Sequence, residues 1–289
     1  MPPISRRRFL KISLLSALGT TTAGVAGFAY AFEVEPVHVD VVQREVLLPR
    51  LHPTFDGYRL VQFSDIHMGT GMTQEQLNRI VDLVNAQQPD TIAITGDFVT
   101  GGNMSVLKPM LVEPLRRLTA KDLKVAVLGN HDHWTDATAV RQVLAESELT
   151  ELNNAVITLR RDEAALHVTG VDDFWEDKAR LEAVLEQLPE DGAAVLLAHE
   201  PDFADISAAT GRFDLQISGH SHGGQVRLPF INKPLILPLH GEKYPLGQYQ
   251  VGGMIQYTNR GVGTIYPAVR FNCRPEITVF TLRAAPTQG

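Results

Sequence analysis

Eight polar residues of this chain are of types that can share metal ions. They are Asp65 and His67 in "SDIH", Asp97 in "TGD", Asn130 and His131 in "GNHD", His199 in "LAHE", and His220 and His222 in "GHSH". Carboxylate, amide oxygen and imidazole, with no thiolate among them, suit borderline divalent or trivalent cations. One carboxylate can bridge two such ions. A pair of cations roughly 3.5–4 Å apart clamps the attacking and leaving oxygens of a displacement and lowers the pKa of a water between them. His220 and His222 stand one residue apart, a spacing that aims both side chains to the same side of a strand end. Singly, an Asp or Asn after a strand is turn chemistry, and one His is a surface or core residue. Only their joint occurrence points to metal.

Such residues act together only if the fold collects them, and each follows a short apolar run. "YRLVQF" precedes Asp65, "DTIAIT" precedes Gly96-Asp97, "LKVAVL" precedes Gly129-Asn130, "AAVLLA" precedes His199, and "FDLQI" precedes His220. These read as strands. Between them, "TQEQLNRIVDLVNAQQ" reads as a helix with Leu77, Ile80, Val81 and Val84 on one face and a Thr73/Gln76 capping box. "DATAVRQVLAES" and "DKARLEAVLEQL" read as further helices, and Pro109 and Pro114 are expected to limit any long helix between Asp97 and Leu123. "NAVITLRRDEAALHVTGVDD" reads as a hairpin turning at Arg161–Glu163. The Pro- and Gly-rich segment 223–253 reads as a long surface loop, and "GMIQYT" and "EITVFTL" as closing strands. Alternating strands and helices make this an α/β chain, and in open α/β sheets the carboxyl ends of strands share the edge where ligands bind. Gly96, Gly129 and Gly219 provide tight turns and close backbone approach there.

The chain has 289 residues, 44% of them hydrophobic and 20% charged, and a formal charge of −7. The first 31 residues hold four cations and no acid; the remainder carries 22 basic against 33 acidic side chains, −11. So acidic a body is a poor partner for nucleic-acid polymers or anionic membrane surfaces and favours small substrates. One cysteine, Cys273, excludes an internal disulfide and reads as an inert buried thiol.

The N-terminal segment, residues 1–31, runs in signal-peptide order: a basic patch, an apolar and small-residue run from Ile12, and Ala29-Tyr30-Ala31 as a cleavage candidate. "SRRRFLK" (Ser5–Lys11) resembles a twin-arginine export signal, which implies passage through the twin-arginine translocase in the folded state. The expected location is the periplasm or cell envelope, with membrane association if the segment is retained. Residues 32–57 read as an entry strand and linker, 58–283 as the main domain, and 284–289 as a tail.

Asp-x-His, Gly-Asp, Gly-Asn-His-Asp, His and Gly-His-x-His, in that order, resemble the calcineurin-like metallophosphoesterase superfamily. "LLAHEPDF" and "GHSHGGQVRLPF" resemble its exported or membrane-associated bacterial branch. The resemblance implies a four-layer αββα sandwich, two central mixed sheets flanked by helices. It implies that Asp65, His67 and His222 hold one metal, that Asp97 bridges to a second, and that Asn130, His199 and His220 complete it. Manganese, iron or zinc would serve. A bridging hydroxide would attack phosphorus, while His131, not a ligand, would stabilise the developing charge and protonate the leaving oxygen.

One departure concerns the protein phosphatase branch, where an Asp three residues after the Gly-Asp aspartate pairs with the catalytic His; here that position is Thr100. Asp132 is the nearest candidate to orient His131. The arginine clamps of that branch also lack counterparts beside Asp97 or Asn130, which favours phosphodiesters over doubly charged monoesters. His240, Lys243, Tyr244 and Tyr249, in the long loop, are candidate substrate contacts, while His38, His52, His133 and His167 have no partners at ligand spacing. Two rival readings are a pyrophosphatase acting on a nucleotide–lipid or cell-wall precursor at the membrane, and an inactive metal-bound binding module. The apolar run 228–239 suits a lipid-facing lip or a buried loop equally.

Overall fold

Ile92, Ala93 and Ile94 are all fully buried, as are Val195, Leu196 and Leu197. Neighbours in a strand point to opposite faces, so these strands need cover on both sides. The structure, a computed structural model, describes residues 6–7, 11, 24–228, 231 and 233–286. Of the basic patch only Arg6, Arg7 and Lys11 are described, and most of the apolar run of the N-terminal segment lies outside the described residues. Among those described, the strands in chain order are β1 (Asp40–Leu48), β2 (Tyr58–Phe63), β3 (Thr91–Thr95), β4 (Leu123–Val127), β5 (Thr150–Glu151), β6 (Ala155–Arg161), β7 (Ala164–Gly170), β8 (Ala193–Leu197), β9 (Leu215–Ser218), β10 (Gly247–Val251), β11 (Met254–Thr258) and β12 (Glu276–Ala284). They form two six-stranded mixed sheets, ordered β1-β12-β2-β3-β4-β5 and β10-β11-β9-β8-β7-β6.

Three apolar clusters define four layers. Leu60, Ala93, Val125, Val127 and Phe280 of the first sheet meet Leu166, Val195, Leu197 and Ile217 of the second. Their sequence neighbours Val61, Ile92, Ile94 and Ala126 face outward under helices α1 (Gln74–Ala86), α2 (Met104–Arg116) and, beyond the short α3 (Asn130–Thr135), α4 (Ala137–Glu146). Ala194 and Leu196 face outward under α5 (Leu181–Gln187) and α6 (Ala204–Ala209). This is the expected αββα sandwich. The capping box of Thr73 and Gln76 forms, and Asp136 caps α4 by accepting from Ala139 N–H.

Two expectations need correction. Pro109 and Pro114 both lie inside α2, a helix of 13 residues. Each proline removes a backbone bond at a cost of about 3 kcal/mol. Leu107, Leu111 and Leu115, at spacing four, are buried against the first sheet and contribute roughly 2 kcal/mol each. Pro109 and Ser105, the residue one turn earlier whose carbonyl loses its donor, are both exposed. The segment 223–253 is not all loop either, because β10 pairs antiparallel with β11. The entry strand β1 runs parallel to β12 in register from Asp40↔Glu276 to Leu48↔Ala284 and closes one edge of the first sheet. Just before it, Ala31 is buried with its carbonyl accepting from Arg270 N–H at 3.0 Å.

β2, β3 and β4 are parallel neighbours in one sheet, and β8 and β9 in the other. Their carboxyl ends bring the polar residues to one edge of the sandwich.

Candidate active site

Asp65, His67, Asp97, His220 and His222 all adopt left-handed backbone, with φ between 50° and 69°. Non-glycine residues pay of order 1 kcal/mol or more for this, and such strain gathers at functional sites. The loops hold it by cross-bonding. The Asp132 carboxylate accepts from the N–H groups of Asp97 (2.9 Å), Phe98 (2.8 Å), Val99 (3.2 Å) and Gly129 (3.0 Å). Asp65 accepts from His220 N–H at 3.1 Å. Two glycines permit the approach: a Cβ on Gly129 would collide with Asp97 Oδ1 and His199 Nε2, and one on Gly219 with Ser64 and Asp65.

All seven expected ligands are buried and converge. Asp65, His67 and His222 form one cluster, and Asp97, His199 and His220 another, the donor atoms within each lying inside 4.8 Å of one another. Asp97 Oδ2 links the two, 3.6 Å from His67 Nε2 of the first and 3.2 Å from His199 Nε2 within the second. Asn130 Oδ1 joins the second at 3.1 Å from His220 Nδ1. The tautomers are set from behind. His199 Nδ1–H donates to Thr95 O at 2.7 Å, which turns the lone pair of Nε2 toward Asp97 Oδ2. His220 Nε2–H donates to Leu239 O at 2.8 Å, leaving the lone pair of Nδ1 facing Asn130. His67 Nε2 and His222 Nε2 face each other at 2.8 Å. Acceptors aimed at acceptors repel unless a proton or cation lies between them, and backbone carbonyls that fix imidazole orientation are the usual support of metal ligands. The donor set therefore fits two cations sharing Asp97.

The charges agree. Burial works against ionised Asp65 and Asp97, but His222 and His67 around the first, and His199 beside the second, hold both carboxyls well below the usual range. His199 goes the other way: burial disfavours its charge, yet Asp97 raises it well above an ordinary imidazole. His222 is pushed well down by burial, which Asp65 only partly offsets. Asp97 therefore keeps a proton on His199 that a cation binding between them would have to displace.

His131 lies beside this centre. Its backbone N–H donates to Asp97 Oδ1 at 2.9 Å, and its ring is 4.9 Å from that of His67. Burial lowers its pKa to about 4, with Asp97 partly offsetting, so the ring is neutral near pH 7. Asp132, the candidate for orienting it, does not do so: its carboxylate is turned to the backbone of 97–99 and Gly129, and burial together with Asp97 raises it to about 7. The residue at His131 is instead Thr100, whose Oγ1 stands 3.1 Å from His131 Nδ1 and 2.5 Å from His67 Nδ1. With His67 Nε2 given to a cation, Nδ1–H donates to the threonine oxygen. The threonine hydroxyl then donates to His131 Nδ1, and the His131 proton sits on Nε2. Thr100→Val is expected to lower kcat by roughly 10–100-fold, the range for lost outer-shell support, while Thr100→Ser stays within about threefold; steady-state kinetics with metal content measured on the same samples decide this. Equal activity of the valine variant removes Thr100 from the account.

Of the loop candidates, only His240 reaches the centre's surroundings, 4.9 Å from the Phe174 ring and 6.0 Å from Trp175, which itself packs 5.5 Å from His220. Lys243 and Tyr244 bond to Asp205, and Tyr249 packs on Tyr244 at 5.1 Å. Those three shape the loop rather than the cleft. Trp134, half exposed, continues the aromatic rim, 4.8 Å from His131 and 5.3 Å from Trp175. Glu200 pins this rim by accepting from the N–H groups of Phe174 and Trp175. Sequence reasoning missed Glu200, although it directly follows His199. It also missed Arg270, fully buried with Nη2 3.5 Å from His222 Nδ1 and its donors bonded to the carbonyls of Arg260, Gly261, Gly263 and Cys273. His133 pairs with Asp172 at 2.8 Å and His167 bonds Thr158 and Asp191 O, outside the centre.

Known proteins resemble this chain along most of its length. Residues 58–224 match the family model described as calcineurin-like phosphoesterase. An uncharacterized metallophosphoesterase, YkuE of Bacillus subtilis, is 36% identical over 98% of this chain and 99% of its own. Phosphodiesterase YaeI of Escherichia coli is 28% identical over 96% and 99%. Among solved structures, a 5′-nucleotidase precursor from Thermus thermophilus superposes with a TM-score of 0.46 at 15% identity, over 71% of this chain and 49% of that one. With its two donor sets in place along the matched segment, the chain belongs to the calcineurin-like phosphoesterase family.

Proposed function

We propose that this metal-dependent phosphoester hydrolase prefers phosphodiesters and works in the cell envelope after twin-arginine export. The observation that carries the hydrolase is Asp97 Oδ2, placed between the two donor sets within 3.6 Å of His67 Nε2 and 3.2 Å of His199 Nε2. Cations of manganese, iron or zinc type held there would supply an activated water and neutralise phosphoryl oxygens. The chain's own residues hold and orient: Asp65, His67 and His222 on one side, Asn130, His199 and His220 on the other, with the Nε2–H of His131 directed to a leaving or non-bridging oxygen. All seven ligands and His131 are in place, which disfavours an inactive binding module.

Two observations favour diesters. Arg270 contacts a ligand histidine, but its donors are spent on backbone carbonyls, so it does not clamp a doubly charged monoester. The Escherichia coli relative bears the name phosphodiesterase. With Mn²⁺ supplied, turnover of bis(p-nitrophenyl) phosphate is expected to exceed that of p-nitrophenyl phosphate by at least about tenfold in kcat/KM, a difference of about 1.4 kcal/mol; the reverse ratio overturns the preference.

Support for export is the motif "SRRRFLK" and the small-residue site at Ala29–Ala31. Replacing Arg6 and Arg7 by lysine should leave the folded protein in the cytoplasm, read by fractionation and blotting. Unchanged export would dismiss the twin-arginine route. Among the described residues no helix is long and apolar enough to cross a membrane. The second reading, cleavage of a pyrophosphate bond in a lipid-linked nucleotide or cell-wall precursor, draws on the apolar run that follows the metal histidines. Leu235, Ile236 and Leu239 in it are exposed.

A further inference from the structure

A groove of about 340 Å³ lies directly against the metal-binding segment. Its floor is Ser221, His222 and Gly224; one wall is Leu235–Pro238 and the other is Ile265–Val269. The walls are held open by polar ties behind the apolar surface. Leu235 N–H donates to Val226 O at 3.0 Å on one side. On the other, the Gln225 side chain accepts from Ile265 N–H at 2.7 Å and donates to the carbonyls of Ile265 and Pro267. One wall runs on to a metal ligand, Leu239 O accepting from His220 Nε2–H; the other runs back to Thr264, whose carbonyl accepts from the hydroxyl of Thr70, three residues past His67. The groove is thus built into the site and preformed, as ligand pockets usually are.

At its mouth Ile236 is 80% and Tyr266 90% exposed, and Leu235 is 55% exposed. An apolar surface left to water in this way marks a binding place. Because His222 lines the groove, an occupant lies next to a residue that would hold a metal, near enough for it and the reacting phosphate to belong to one molecule. Among the described residues no Asp, Glu, Lys or Arg lines it. We propose that the groove receives the alkyl arm of an amphiphilic phosphodiester, a substrate whose phosphate joins a long hydrocarbon chain to a second group. This rests on the phosphodiesterase reading and adds to it the class of one ester arm.

The test is a series of alkyl p-nitrophenyl phosphates from methyl to octyl, kept below micelle-forming concentrations and given to the full chain loaded with Mn²⁺, without vesicles. Each methylene that leaves water for the groove raises kcat/KM by up to about fourfold, so octyl should exceed methyl by at least 100-fold. In a Leu235→Ser/Ile236→Ser variant the rise should shrink to less than tenfold. Both residues are exposed, so the fold should tolerate the change; thermal unfolding of the variant checks this. Turnover of the methyl ester with no rise along the series overturns the groove and leaves the phosphodiesterase standing. A rise of equal size in the variant places the alkyl arm elsewhere and also overturns the proposal. No turnover of any member, with two metals bound, removes the phosphodiesterase reading itself.

Discussion

Asp97→Asn is expected to lower kcat on a phosphodiester by on the order of a thousandfold while leaving the metal-free fold as stable as before or more so. The first half follows from the shared oxygen: Oδ2 serves both donor sets, and an amide nitrogen in its place cannot bind a cation. Loss of a two-metal clamp removes several kcal/mol of charge stabilisation, and about 1.4 kcal/mol corresponds to tenfold. The second half follows from what Asp97 costs without metal. It is buried, in left-handed backbone at φ 57°, and keeps a proton on His199. Asparagine tolerates that backbone. Its Oδ1 can still accept from His131 N–H, and its Nδ2–H can donate to Nε2 of a His199 that no longer carries the proton Asp97 holds there. The measurements are kcat, metal content by elemental analysis, and melting temperature with and without Mn²⁺. Wild type should bind two ions and gain stability from them by linkage; the variant should bind one or none and gain little. A variant that binds two ions and retains a tenth of the activity would remove Asp97 from the bridging position.

Much of this site was readable because its parts obey one local rule. Asp65, Asp97, Asn130, His199 and His220 each follow a short apolar strand within a few residues, and strand ends of α/β sheets share an edge. The rule says nothing about what supports them. Thr100 meets His131 across 31 residues and His67 across 33, and His199 and His220 are oriented by carbonyls of Thr95 and Leu239, groups every residue type carries. Asp132 was noticed for its adjacency to His131, yet on the short helix α3 it points back to cap Gly129 and the 97–99 turn. The same limit applies to α2. Pro109 and Pro114 are strong local signals against a helix, but the buried Leu107, Leu111 and Leu115 stripe prevails because the sheet beneath supplies what local propensity lacks. Two of the loop candidates show the same limit: Lys243 and Tyr244 bond to Asp205 on α6, 38 and 39 residues earlier, a partner that no local pattern reveals.

His131→Gln carries the second large effect, and its size should depend on the leaving group. The ring is neutral near pH 7, with Nδ1 engaged by Thr100 and the proton on Nε2. A positioned proton donor contributes typically 10²–10⁴-fold, most where the departing oxygen is most basic. Diesters that release an alcohol should therefore lose about a thousandfold in kcat. Those that release p-nitrophenolate, which departs without a proton, should lose only about tenfold, the part due to hydrogen bonding at the phosphoryl oxygens. Metal content should stay at two, because the ligand sets on either side of Asp97 close without His131. A plot of log kcat against leaving-group basicity for wild type and variant separates the alternatives. A steeper slope in the variant assigns the proton transfer to His131. Parallel lines would mean that it stabilises charge at phosphorus alone, and the proton would then have to reach the alcohol from solvent. A loss of metal would instead make His131 a ligand, consistent with its place within 4.8 Å of the donor atoms of His67 and Asp97, and Thr100 would then be positioning a metal-bound ring.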